Sequence, residues 1–188
     1  MSLDRKINRI QFLSGNSLKV IAVLTMLIDH LCKIVLQWLL SNYWGAMADN
    51  GQMSWERFRE IDYFIRFDLQ SIGTIAFPLF CFLLAEGFQH TRSKKRYIGL
   101  MLAFALISEV PFDIGFFNAY SRMEGTFPFY LKYQNVFFTL FLGLLTLVCL
   151  ERFSCESDLP VDRIKSVVLQ VLSVVLFSSI AEGIRCDY

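Results

Sequence analysis

Residues 18–40 form an apolar run long enough to cross a bilayer, and its interior carries Asp29, His30 and Lys33. Few arrangements constrain a chain so tightly. A charged group near the centre of a membrane helix costs about 2.5–3.5 kcal/mol even on the mildest scale, so it faces a protein-lined or wet cavity, and such groups mark function. The other segments matter for what they bring to His30.

Four further windows, residues 72–88, 97–110, 135–150 and 167–184, are apolar enough to be spans or near-spans. About 20 residues at 1.5 Å each cross a hydrocarbon core of about 30 Å, which leaves 97–110 and 135–150 short. Composition agrees with burial in lipid: 19% of residues are charged, where a soluble domain carries about 25%, and 55% are hydrophobic. Between the first two windows Phe58, Ile61, Phe64, Ile65 and Leu69 recur at helical spacing, with Arg59, Glu60, Asp62, Arg66 and Asp68 between them. That pattern predicts an amphipathic helix on the membrane surface. The expectation is an all-α, polytopic helical membrane protein, with about five transmembrane helices plus the interfacial helix in a single transmembrane domain over 1–188.

Lys and Arg alternate in number from one connecting segment to the next. Three precede the first window, three follow it, four lie between His90 and Tyr97, two lie in the third loop and three between Glu151 and Ser166. The N-terminal side thus collects ten against five, which predicts a cytoplasmic N-terminus. Arg5, Lys6 and Arg9 precede a run that Asp29 and His30 interrupt and that lacks a small-residue cleavage pattern, so no removable signal peptide is expected. Cys32, Cys81 and Cys149 lie in apolar windows and Cys155 and Cys186 on opposite sides, which suits small buried hydrophobes better than a disulfide framework. A formal net charge of +1 gives no nucleic-acid signal.

Rise per residue places the polar groups in depth. His30 lies about 18 Å from the cytoplasmic boundary, Glu109 reaches the same level, and Thr139 and Glu182 come to about 22 Å. Glu86 and His90 sit instead at the cytoplasmic end of the second window. Asp29 and Lys33, at i and i+4, can pair, while His30 stands about 100° away on the helix. His30 is left to meet a partner from another helix, with Glu109 the first candidate. A His held by a carboxylate suits a general base, and the alternative is a structural His bonded to a backbone carbonyl or hydroxyl. His90-Thr-Arg-Ser-Lys-Lys-Arg96 brings Arg92, Lys94, Lys95 and Arg96 to the cytoplasmic mouth, either as a phosphate clamp or as topology charges alone. Pro111 should end or kink the third helix. The loop 113–134 is dense in rings, among them Phe116, Tyr120, Phe127, Tyr130 and Tyr133; an interfacial belt or an acceptor-binding surface would account for them. No P-loop, GxGxxG, HExxH or CxxC is present, so ATP, dinucleotide and metal chemistry find no support.

Five ordered blocks carry a resemblance. They are Leu18-Lys-Val-Ile-Ala-Val-Leu-Thr-Met-Leu-Ile-Asp-His30, Ala76-Phe-Pro-Leu-Phe-Cys-Phe-Leu-Leu-Ala-Glu-Gly-Phe88 with His90-Thr91, Ser108-Glu-Val-Pro-Phe-Asp113, Asn135-Val-Phe-Phe-Thr-Leu-Phe-Leu-Gly143 and Asp187-Tyr188. Together the chain resembles the TraX family, integral-membrane proteins named for an F-pilin acetylation protein of the bacterial inner membrane. The resemblance implies transfer of an acetyl group from cytoplasmic acetyl-CoA to an amine or hydroxyl acceptor, such as a pilin N-terminus or surface saccharide, by a protein surrounded by membrane lipid. It puts His30, Asp29 and Glu109 in catalysis. It puts Glu86, His90 and Thr91 at motif positions beside the Arg92, Lys94, Lys95 and Arg96 cluster, whose phosphate-clamp reading then makes this the acetyl-CoA site, and it puts Phe112, Asp113, Asn135 and Thr139 at motif positions, the last three given to the acceptor. Members of the family tend to continue past the Asp-Tyr pair, so the resemblance leaves open either a shortened variant or a sequence truncated at its C-terminus. A non-enzymatic transporter or proton relay through the same buried charges is the competing class, though no paired repeat is visible. A scaffold for a pilus or surface polymer would leave the buried charges unexplained.

Overall fold

The computed structural model describes residues 14–118, 133–155 and 159–186. It contains five helices long and apolar enough to cross a membrane: α1, Gly15–Asp49; α2, Trp55–His90; α3, Lys94–Phe116; α4, Val136–Phe153; and α5, Pro160–Gly183. This is a multi-pass, all-α membrane protein, as the apolar windows predict. Arg5, Lys6 and Arg9, most of the aromatic loop (residues 119–132) and the Asp187-Tyr188 block lie outside the described residues.

Helix starts follow local chemistry. Ser14, Ser54 and Ser93 cap α1, α2 and α3 by accepting from the backbone N–H groups of Ser17, Arg57 and Arg96. Asn135 caps α4 through the Phe137 N–H at 2.9 Å. α5 opens on Pro160, whose missing N–H would be an orphan at that position in any case. These caps satisfy donors that the first turn leaves without an intrahelical partner.

The chain folds as two compact units, one running to Leu83 and the other from Leu84. In the first, α1 and the greater part of α2 form a hairpin. Ala22, Thr25, Asp29, Cys32 and Leu40 are the buried side of α1. Cys32, Leu40 and Ile65 make a core packed by Leu36, Trp44, Phe58, Ile61 and Leu69. Val20, Val23, Leu24, Leu27, Leu31, Val35 and Trp38 are exposed apolar residues on the same helix, as a lipid-facing surface requires. In the second unit, α4 packs against both α3 and α5. Ser166 donates to Phe153 O at 2.6 Å and Gln170 to Leu150 O at 3.2 Å, tying α5 to α4.

Two features depart from the sequence reading. The amphipathic segment occupies Trp55–Tyr63 and runs without a break into the second span, because its apolar residues Phe58 and Ile61 pack against α1. At 35 and 36 residues, α1 and α2 are about 52–54 Å long and overshoot the hydrocarbon core by about 20 Å. The third helix does not stop at Pro111 but continues to Asp113 and into a wide turn over Ile114–Asn118. Proline forfeits one backbone bond, whereas ending the helix inside a bilayer would strand several carbonyls. Further i→i+5 turns occur at Leu31–Leu36, Leu40–Trp44 and Phe64–Leu69.

Candidate functional site

The Asp29-His30 pair sits in the first unit, on α1 and one residue before a π-helical stretch begins. Asp29 is buried, and Lys33 Nζ stands 2.9 Å from its Oδ2, the i,i+4 pairing that the spacing predicts. Asp29 Oδ1 is buried with no hydrogen-bond partner among the described residues. Desolvating a carboxylate in this way is costly unless its partner is held close, so Asp29 and Lys33 support one another.

Gly73 on α2 makes this burial possible. A Cβ built there would stand 2.6 Å from Asp29 Cβ and 2.8 Å from Asp29 Cα, so only glycine admits the backbone contact between the two helices. A Gly73→Ala change is expected to push the helices apart and cost about 1–3 kcal/mol. A lowered unfolding midpoint in detergent would register it; an unchanged midpoint would show that the contact is not close in solution.

His30 is about one third exposed, and its Nδ1 lies 3.0 Å from the Met26 carbonyl and 4.0 Å from Asp29 Oδ2. A carbonyl oxygen only accepts, so Nδ1 carries the hydrogen in the neutral ring and the lone pair belongs to Nε2. The local helix thereby selects the tautomer that a base acting through Nε2 needs. Asp29 lies near enough to stabilise positive charge on the ring.

The second unit gathers the other polar groups on α3 and α4. Glu109, buried on α3, receives hydrogen bonds from the backbone N–H of Asn135 at 3.3 Å and from the Asn135 amide. The same amide donates to Ala105 O at 2.9 Å while its oxygen caps α4. Both amide hydrogens of Asn135 are thus committed within the protein, which makes it a clamp on Glu109 at the α4 N-terminus, where helix polarity favours a carboxyl group. Asp113, one turn beyond Glu109, is buried as well, and Thr139, one turn beyond Asn135, is half-buried. Phe112 meets Phe116 at a tilt, ring centroids 4.6 Å apart, and stacks parallel to Tyr133 at 6.2 Å.

The clamp is anchored from a third element. The Gln134 N–H donates to Arg185 O at 3.2 Å, and Arg185, at φ +50°, closes the end of α5 in the left-handed region. The Cys186 N–H returns to Ala181 O at 3.0 Å, a helix-ending pattern usually built on glycine. Nothing in the local sequence marks Gln134 and Arg185 as neighbours.

At the other end of the unit, His90 Nδ1 lies 2.9 Å from the Glu86 carbonyl, and both side chains are exposed. Thr91 is half-buried in the short turn to α3. Of the four cations expected to act together, Lys94 is drawn away: its ammonium pairs with Glu151 on α4 and lies 4.6 Å over the Phe88 ring. Arg92, Lys95 and Arg96 are exposed and form no ion pair among the described residues. Gly87 leaves room for Tyr97, whose hydroxyl would stand 2.8 Å from a Cβ at that position. No group of three or more His, Cys, Asp or Glu side chains among the described residues is placed to hold a metal ion.

Comparison with known proteins gives two findings. The family model described as TraX protein matches residues 14–185. A probable fimbrial assembly protein FimC, serogroup H1, of Dichelobacter nodosus is 32% identical over 137 residues, which is 72% of this chain and 46% of the relative's length. The chain therefore spans about half of that relative. No solved structure matches the chain.

Proposed function

The chain belongs to the TraX family, and from that premise we propose that it is an integral-membrane acyltransferase. Its reaction moves an acetyl group from acetyl-CoA to an amine or hydroxyl acceptor, and the fimbrial assembly relative favours a pilin or fimbrial subunit over a saccharide. The observation that carries the reading is His30, an intramembrane imidazole whose Nδ1–H is donated to Met26 O so that Nε2 bears the lone pair. In the proposed step Nε2 takes a proton from the acceptor as its nitrogen or oxygen attacks the thioester carbonyl. The C–S bond then breaks, and the imidazolium returns the proton to the departing CoA sulfur. Asp29, steadied by Lys33 and by contact with Gly73, offsets the charge that the ring gains.

Acetyl-CoA enters from the cytoplasm in this reading, with its phosphates on Arg92, Lys95 and Arg96 and with Glu86, His90 and Thr91 beside them. Asp113, Asn135 and Thr139 belong to the acceptor side, Asn135 acting through Glu109. The N-terminus faces the cytoplasm, and the membrane is the bacterial inner one.

Incubating the purified protein with radiolabelled acetyl-CoA and a pilin subunit tests the proposal. Label appearing on the subunit together with free CoA thiol supports it; intact thioester at all protein concentrations would overturn it. Replacing Arg92, Lys95 and Arg96 together by alanine is expected to raise KM for acetyl-CoA about tenfold or more, with little change in kcat, since exposed phosphate contacts bind the ground and transition states alike. Lys94→Ala should have a smaller effect, because Glu151 already holds that ammonium. An unchanged KM for acetyl-CoA in the triple variant would return the loop to a topological role.

A further inference from the structure

In the second unit the start of α3, the end of α4 and the start of α5 meet at one level, and the contacts that join them are few and specific. Lys94, the first residue of α3, pairs with Glu151 in the last turn of α4. On the other side of α4, Ser166 near the start of α5 donates to the Phe153 carbonyl at 2.6 Å. These two contacts carry cations with them. Arg92, Lys95 and Arg96 lie within two residues of Lys94, Arg152 follows Glu151, and Lys165 precedes Ser166. All five are exposed, and none forms an ion pair among the described residues.

Because α4 packs against both α3 and α5, Arg152 stands between the α3 cations and Lys165. With packed helix axes about 8–10 Å apart, the arc from α3 across α4 to α5 is about 16–20 Å wide. A single phosphate, reaching about 3 Å to each donor, engages one part of such an arc, so a ligand that uses all of it carries several. Residues 86–96 and 151–165 hold seven Lys and Arg against five Asp and Glu, and Glu151 is already taken by Lys94. The surplus leaves this end attractive to anions. We propose that Arg152 and Lys165 complete, with Arg92, Lys95 and Arg96, a binding surface for a ligand bearing two or more phosphate groups. Arg forks a phosphate and Lys supplies a point charge, and the arc holds both. With CoA as the ligand, through its diphosphate and its ribose phosphate, the inference rests on the acyltransferase reading. A two-phosphate membrane lipid, cardiolipin, offers the same chemistry without it.

Binding is read without turnover, on the full chain in an uncharged detergent at low salt, by calorimetric titration with CoA and, separately, with cardiolipin in mixed micelles. Arg152→Gln with Lys165→Gln is expected to weaken the ligand about tenfold, two exposed charge contacts at roughly threefold each. Its affinity should also fall less steeply with added salt than that of the unaltered chain. Arg152→Lys with Lys165→Arg keeps both charges and should retain most of the binding, with unfolding midpoints unchanged in both variants because the two positions are exposed. Weaker CoA binding in the neutral variant supports the surface with CoA as its ligand, and weaker cardiolipin binding with CoA unaffected supports it with the lipid headgroup as the source. Either result in a protein that transfers no acetyl group would leave the surface standing and remove the acyltransferase reading. Equal affinities of the unaltered chain and the neutral variant for both ligands, or no binding of either, would overturn the proposal, as would equal loss in the charge-keeping variant.

Discussion

Replacing His30 by alanine is expected to abolish acetyl transfer, a fall of about 10²–10⁴ in turnover for loss of a general base, while the helices stay folded. The imidazole is one third exposed and is not among the residues of the Cys32, Leu40 and Ile65 core, so its removal leaves that core intact. His30→Asn separates positioning from chemistry. An asparagine amide can still donate to the Met26 carbonyl, but it has no basic nitrogen where Nε2 stands, so this variant should be as inactive as alanine and fold at least as well. Release of CoA thiol, measured on protein whose helicity by circular dichroism is unchanged, checks both. Wild-type turnover in either variant would remove His30 from the reaction.

The largest stability effect is expected at Asn135. Alanine there removes the α4 cap, worth about 1 kcal/mol, and leaves Glu109 and the Ala105 carbonyl without the amide that satisfies them, about 1–3 kcal/mol more. The sum, about 2–4 kcal/mol, is a large share of the stability of any small domain. Asn135→Ser keeps a capping oxygen and loses the amide, so it should be the milder of the two. Asn135→Asp keeps the cap but sets a second carboxyl against Glu109 and should be as damaging as alanine. Unfolding midpoints in detergent rank the three, and an alanine variant that melts with the wild type would dismiss the clamp.

Legibility from sequence followed range along the chain. Asp29 and Lys33 are four residues apart on one helix, so their pairing is dictated by helix geometry alone, and it is present. Serine and asparagine caps are likewise local. Lys94 and Glu151 are 57 residues apart, and counting charges in a loop could not reveal that one cation of four was already engaged. Glu109 was visible as a buried acid, yet its partner Asn135 lies 26 residues on and had been read as a contact for the acceptor. Gly73 and Gly87 were available as signals, since glycine inside an apolar helix marks a close approach, but nothing in the chain names what approaches. Of the two outcomes open at Pro111, an end or a kink, the end does not occur, because the stop rule assumes water to receive the freed carbonyls.

By itself, then, the amino-acid order determined that this protein lies in a membrane, that five helices cross it, and that Asp29, His30 and Lys33 share one of them. Those properties depend on apolar length and on the 3.6-residue turn, both of which act between near neighbours. Only tertiary packing decided that Asp29 rests on Gly73 and that Asn135 holds Glu109. Each of these depends on which residues of two separate helices meet at the same height, and that is set by side-chain volumes and backbone approach across the contact, quantities that no single segment contains.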